Sequence, residues 1–246
     1  MIEAARLLRP GLLEGVSVVL AGAGTGASPQ RRFSTAIGPA CAGLGARVHE
    51  CPIAMDAGED RRAPLGEDAV AGAVERALAA AGAPHLLAVD GASFFAHSGG
   101  AVAVAGGDAA PGDAPSARRA LRECLQASWG VTQALAKRAF LPDGQRERCG
   151  GRIVYVTPPS GGGASSGGGA SSAEGEHADA ARAALENLAR TLSIEWARHR
   201  ITTVTIAPRA GADATGEVAA LVAYLASPAG AYFSGCLLDL TLPASG

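Results

Sequence analysis

The single lysine of the chain, Lys137, limits the proton chemistry open to it. A tyrosine can protonate a forming alkoxide when a neighbouring ammonium moves its pKa toward neutrality. A Tyr-x-x-x-Lys pair built on Lys137 needs a tyrosine at 133, and that residue is Gln133. The three tyrosines, Tyr155, Tyr224 and Tyr232, all lie elsewhere. The five cysteines, Cys41, Cys51, Cys124, Cys149 and Cys236, contain no Cys-x-x-Cys pair. Neither a metal site nor a disulfide framework is expected from that spacing.

Other residues offer binding chemistry. Gly22, Gly24 and Gly26 form a Gly-Ala-Gly-Thr-Gly run. Glycines let backbone approach a pyrophosphate at a helix N-terminus. Arg31 and Arg32 could grip a phosphate, although an exposed basic pair in a loop is the simpler reading. Asp90 reads as a turn residue, with a helix cap or a contact to an adenosine hydroxyl as alternatives. His177, with Asp179 nearby, could act as an acid, but a solvated helix start explains both more simply. Tyr155 lies inside an apolar segment and reads as a core residue. Ser160 could supply a hydroxyl after a loop. Cys124 reads as a small buried hydrophobe, and His85 and His97 as structural.

The elements that must position these residues follow from periodicity. Gly15–Gly22 is short, apolar and β-branched and ends in glycine, which predicts a strand; His85–Val89, Gly151–Thr157, Ile201–Ala207 and Gly235–Leu242 also read as strands, and Ala46–Cys51 as a second, shorter one. Between them Phe33–Leu44, Asp68–Ala81, Ser116–Leu141, Glu176–Arg198 and Glu217–Ala226 carry apolar residues at helical spacing. The first of these helices closes on Gly45. The stretch from Val89 to Pro115 reads as a loop. Alternating strands and helices predict an α/β fold with a doubly wound parallel sheet, helices on both faces, and one domain over residues 1–246. Residues 160–172 are a Gly/Ser-rich spacer.

Composition narrows the partners. The 246 residues are 48% hydrophobic and 18% charged, with a formal net charge of −2. Arginines are dispersed rather than clustered, so no nucleic-acid surface is expected. No apolar run reaches membrane-spanning length, and the first residues lack the order of a signal peptide. The expectation is a cytoplasmic protein that binds neither nucleic acid nor membrane.

Three segments carry a resemblance. Arg182-Ala183-Ala184-Leu185 and the helix after it, Ile201–Ala207 with Pro208, and Tyr224-Leu225-Ala226-Ser227-Pro228 with Phe233-Ser234-Gly235 together resemble the short-chain dehydrogenase/reductase family. The likeness runs from about Leu12 to Leu242 and is nearest to 3-oxoacyl reductase-like and hydroxyacyl-CoA dehydrogenase-like members. It implies a Rossmann-type fold and an NAD(P)-dependent oxidoreductase ancestry. It also implies a catalytic tetrad, whose positions fall on Cys124, Pro158, Ala178 and Arg182 in place of asparagine, serine, tyrosine and lysine. None of the four supplies the family's chemistry, so no catalytic residue is assigned. The family's glycine loop retains Gly22, while Arg32 and Ser34 stand at its other two glycine positions. Pro52 stands where an acid would hold a ribose. Gly22, Gly24, Gly26 and Asp90 remain the cofactor-binding candidates. The substrate lid is cut to about 209–216.

What the resemblance leaves intact is the assembly surface: the helices 116–141 and 176–198 and the C-terminal strand. The first expectation is therefore a catalytically inactive subunit, with no cofactor bound, that forms a dimer or tetramer with an active short-chain dehydrogenase. An active NAD(P)-dependent reductase with relocated residues, and a Rossmann-fold ligand sensor, are the two alternatives.

Overall fold

The computed structural model describes residues 8–24, 32–55, 66–98, 114–141, 150–159, 173–210 and 214–241. Gly26, Arg31, Cys149, Ser160 and the Gly/Ser-rich segment 160–172 lie outside them.

Among the described residues six strands form one parallel sheet: β1 (Ser17–Ala23), β2 (Arg47–Ile53), β3 (Leu86–Asp90), β4 (Gly151–Val156), β5 (Ile201–Ala207) and β6 (Cys236–Asp239). Their order is β2-β1-β3-β4-β5-β6. Every residue of β1 and β3 is buried, as expected for strands covered on both faces, and this is why they read as unbroken apolar runs. The edges read differently. β2 exposes Arg47, Glu50 and Pro52, and an edge strand can carry a proline because one side of its backbone makes no ladder. β6 is half-buried throughout.

Helices α1 (Arg32–Gly43) and α6 (Ala214–Ala226) cover one face. There Phe33, Ile37, Cys41, Val218 and Val222 pack on Val18, Leu20 and Val204. The opposite face is covered by α2 (Glu67–Ala81), α4 (Ala114–Leu135) and α5 (Ala173–Glu195). Val74, Cys124, Val131, Leu185 and Ala189 meet Val19, Leu87, Ile153 and Tyr155 on that side. Burial of such side chains contributes about 1.5–3 kcal/mol each. The predicted class, a doubly wound α/β sheet, is what forms. Among the described residues no helix is long and apolar enough to cross a membrane.

Three local readings need correction. The stretch after Val89 is not all loop: Gly91–His97 forms a short helix, α3. Small residues hide its periodicity, and Asp90 supplies the cap that starts it. The predicted helix 116–141 is α-helical only to Leu135, and Ala136–Phe140 continues as a π-helical turn. The predicted helix 176–198 begins at Ala173 and ends as an α-helix at Glu195, and a 3-10 turn follows at Ala197–His199. Gly45 closes α1 as expected, at φ 99°, a conformation that side chains with a Cβ rarely adopt.

The strand order changes direction between β1 and β3. At that switch point the crossovers leave in opposite directions and open a crevice at the carboxyl ends of the strands. Cys124, Pro158 and Arg182, three of the positions that the resemblance assigns to a tetrad, lie at the same end of the sheet. α4 and α5 run antiparallel to the strands, which brings the first turns of α5 to the end of β4, while Phe140 at the far end of α4 reaches the start of β4 at Gly151.

Candidate functional site

The crevice is organised around Asp90, the last residue of β3, which is buried. Its Oδ1 accepts from the Ser93 amide at 3.0 Å, which caps α3. Its Oδ2 accepts from the Ser34 amide at 2.9 Å and from the Ser34 hydroxyl at 2.5 Å. Ser34 lies in the first turn of α1, so one carboxylate serves the N-termini of two helices and meets the positive end of each dipole. The Ser93 hydroxyl donates to the Asp90 carbonyl at 2.7 Å and accepts from the Ala23 amide at 3.0 Å, which ties the end of β1 into the same cluster.

Of the two described glycines, Gly22 borders this cluster. A Cβ on Gly22 would stand 3.0 Å from the Ser34 hydroxyl and 3.1 Å from that of Ser93. A Cβ on Gly24 would stand 2.7 Å from Cβ of Pro52. The Gly24 amide donates to the Ile53 carbonyl at 2.7 Å, which presses the loop onto the end of β2. Gly22 and Asp90 therefore come together, while Gly24 faces β2. Arg32 begins α1.

The four tetrad positions follow the crevice round toward β6. Cys124 is fully buried on α4, and its Sγ donates to the Gly91 carbonyl at 3.2 Å. Burial pushes its thiol up to about 12; Ser128 lowers it, and the Asp90 charge raises it by less than Ser128 lowers it. Such a group is neutral at any physiological pH and is not a nucleophile. Pro158 is buried just past β4, and its carbonyl accepts from the Thr157 hydroxyl at 3.1 Å. Ala178 is buried on α5. Arg182, one turn further along, donates to Asp239 at the end of β6 at 2.6 Å. Burial opposes the charge on Asp239. The Thr241 hydroxyl and amide and the Arg182 guanidinium outweigh it, and the carboxyl sits below its ordinary range.

The remaining candidates are dispersed. Tyr155 is fully buried, its hydroxyl 2.9 Å from that of Thr132, and burial drives its phenol well above the ordinary value. His177 is half-buried and Asp179 exposed on α5. His85 accepts from the Ser17 amide at Nδ1, 3.1 Å, at the opposite end of the sheet. His97 ends α3. Lys137 is exposed in the π turn, beyond the far end of α4. Among the described residues no group of three His, Cys, Asp or Glu side chains could hold a metal.

Sequence reasoning missed Ser34 and Ser93 as partners of Asp90, and Asp239 as the partner of Arg182. The spacing Asp90-x-x-Ser93 is a helix-start signal. Nothing local in sequence joins Arg182 to a residue 57 positions away.

No family model and no curated protein matches the chain. Solved structures do. A citronellol catabolism dehydrogenase, AtuB, of Pseudomonas aeruginosa PAO1 is 24% identical with a TM-score of 0.64, over 95% of this chain and 96% of that one. A 3-ketoacyl-(acyl-carrier-protein) reductase from Brucella melitensis, solved with NADH, is 20% identical with a TM-score of 0.62, over 93% and 97%. A short-chain dehydrogenase/reductase from Serratia marcescens is 20% identical with a TM-score of 0.60, over 93% and 96%. The fold is that of short-chain dehydrogenases/reductases, over nearly the full length of each.

Proposed function

We propose that this chain is a degenerate short-chain dehydrogenase/reductase whose role is to assemble with an active relative, not to catalyse. In this reading it binds no nicotinamide cofactor and works in the cytoplasm. The observation that carries the reading is the chemistry at the four tetrad positions. Hydride transfer to a carbonyl needs a proton donor beside the forming alkoxide. Cys124 is a neutral buried thiol, Pro158 and Ala178 have no exchangeable side-chain proton, and the Arg182 guanidinium is paired with Asp239. Tyr155 cannot substitute, because its hydroxyl is held in the core by Thr132.

Surface composition supports the assembly role. The large hydrophobic side chains exposed among the described residues are Trp129 on α4, Ile194 on α5 and Tyr232 in the turn before β6. These are the elements expected to meet a partner. A subunit that stabilises an active dehydrogenase, or shapes its pocket for a hydroxyacyl or oxoacyl substrate, needs this surface and not the tetrad.

The test is co-expression with a relative that retains Tyr-x-x-x-Lys. The expected result is a stable heteromer that reduces or oxidises an acyl thioester, while the chain purified alone leaves NADH and NADPH unconsumed. A homogeneous homomer that turns over substrate overturns the proposal.

A second reading, an active NAD(P)-dependent oxidoreductase with relocated residues, is favoured by the NADH-bound state of one structural neighbour. It predicts turnover of a 3-oxoacyl thioester that falls on His177→Ala or Ser160→Ala.

A further inference from the structure

We infer that Asp90 is a built-in anion that occupies the phosphate position at the start of α1, and that this one side chain keeps a nicotinamide dinucleotide out of the crevice. The inference deepens the reading above and rests on it for the class of ligand concerned.

In an open α/β sheet a dinucleotide places its pyrophosphate against the N-terminus of the first helix, at the switch point of the strand order. The groups that attract it there are backbone amides, nearby hydroxyls and the helix dipole. In this chain the Ser34 amide and hydroxyl already donate to Asp90 Oδ2 at 2.9 and 2.5 Å, and the second oxygen is held by the Ser93 amide at 3.0 Å. A pyrophosphate brought to this turn would therefore lose those donors. It would also face a buried carboxylate of its own sign, where poor screening strengthens the repulsion.

The walls agree with the electrostatics. The space beside Gly22 is closed by the hydroxyls of Ser34 and Ser93, and the space beside Gly24 by Pro52. A side chain at position 24 would collide with Pro52, and one at position 22 would press on the two serine hydroxyls. The described residues of this crevice do not fit a dinucleotide.

Asp90→Asn removes the charge with almost no change of shape. Asp90→Ser also removes it, and its hydroxyl can still cap α3. Nucleotide binding is read as thermal stabilisation of the full chain by NADH and by NADPH. The wild-type protein should show no saturable stabilisation. Each folded variant should gain affinity of about tenfold or more for at least one nucleotide. Saturable binding by the wild-type chain overturns the inference, whether or not the variants fold. So does a folded variant, checked by circular dichroism, that gains nothing. Substrate turnover in the same samples separates the two ideas. Turnover by the wild-type chain alone defeats the non-catalytic reading. Wild-type binding without turnover defeats the role given to Asp90 and the absence of a bound cofactor, and leaves the non-catalytic assembly role standing.

Discussion

The Arg182 guanidinium lies 2.6 Å from Asp239 Oδ2, joining α5 to the last strand of the sheet. Both side chains are largely but not fully buried, at 17% and 25% exposure. Asp239 also accepts from the Thr241 amide at 2.9 Å and hydroxyl at 2.6 Å. The pair ties α5 to a half-buried edge strand, so its effect falls on β6.

Its pH dependence has a fixed sign. The carboxyl of Asp239 sits below its ordinary value in the folded chain. Its contribution is fully present above the ordinary carboxylate pKa and is lost as pH falls through the lower folded value. Asp239→Asn should lower stability by about 1 kcal/mol at neutral pH, allowing for partial exposure of the pair. That corresponds to a fall of about 2–4 °C in the melting temperature of a chain this size. Melting curves in steps toward acid should show the gap between wild type and variant closing. A gap that stays constant into acid would exclude the assigned pairing.

Tyr155 offers a test that separates core from catalysis. Its hydroxyl and that of Thr132 are 2.9 Å apart in the core between β4 and α4. Tyr155→Phe leaves Thr132 without this partner and should cost about 1–2 kcal/mol. Any activity of an assembled heteromer should be unchanged once the sample is folded. A variant that folds with normal stability but abolishes activity would move Tyr155 into the reaction.

Cys124 should be chemically silent. Its thiol stands at about 12, so its thiolate fraction near pH 8 is lower than that of an ordinary thiol by about a thousandfold. Alkylation followed by peptide mapping should leave Cys124, Cys41 and Cys51 unmodified in the folded chain. The half-buried Cys236 should be modified before them. Denaturant should equalise the four. Rapid native labelling of Cys124 would indicate a solvent path to the crevice.

The legibility of this chain divides along physical lines. β1 and β3 are readable because burial on both faces leaves a mainly apolar run, and β5 because its Ile, Thr and Val residues are β-branched. Helix α2 was readable because its stripe of Val70, Val74 and Leu78 repeats at helical spacing. Helix α3 was not, since Gly91, Ala92 and Ser93 carry no periodic signal and the helix starts on a side-chain cap. The tetrad positions could be counted from the motif Arg182-Ala183-Ala184-Leu185. What occupies the crevice could not. Asp90 reads in sequence as a turn, and its second partner, Ser34, is 56 positions away. Contacts set by the crossover of two helices leave no local pattern.

The exposed apolar side chains give the most direct test of assembly. Ile194 is 79% exposed and Trp129 38% exposed in the isolated chain. A partner seated on α4 and α5 would remove this apolar area from water. Ile194→Glu replaces surface only, so the isolated chain should stay within about 0.5 kcal/mol of wild type. Under the proposed assembly, Ile194→Glu should weaken binding to the co-expressed relative by about tenfold or more. Trp129→Glu should act in the same direction, with a small stability cost from its buried part. Sedimentation of the mixed proteins reads the binding, and melting of the chain alone reads the stability. Undiminished assembly in both variants would place the partner surface elsewhere than α4 and α5.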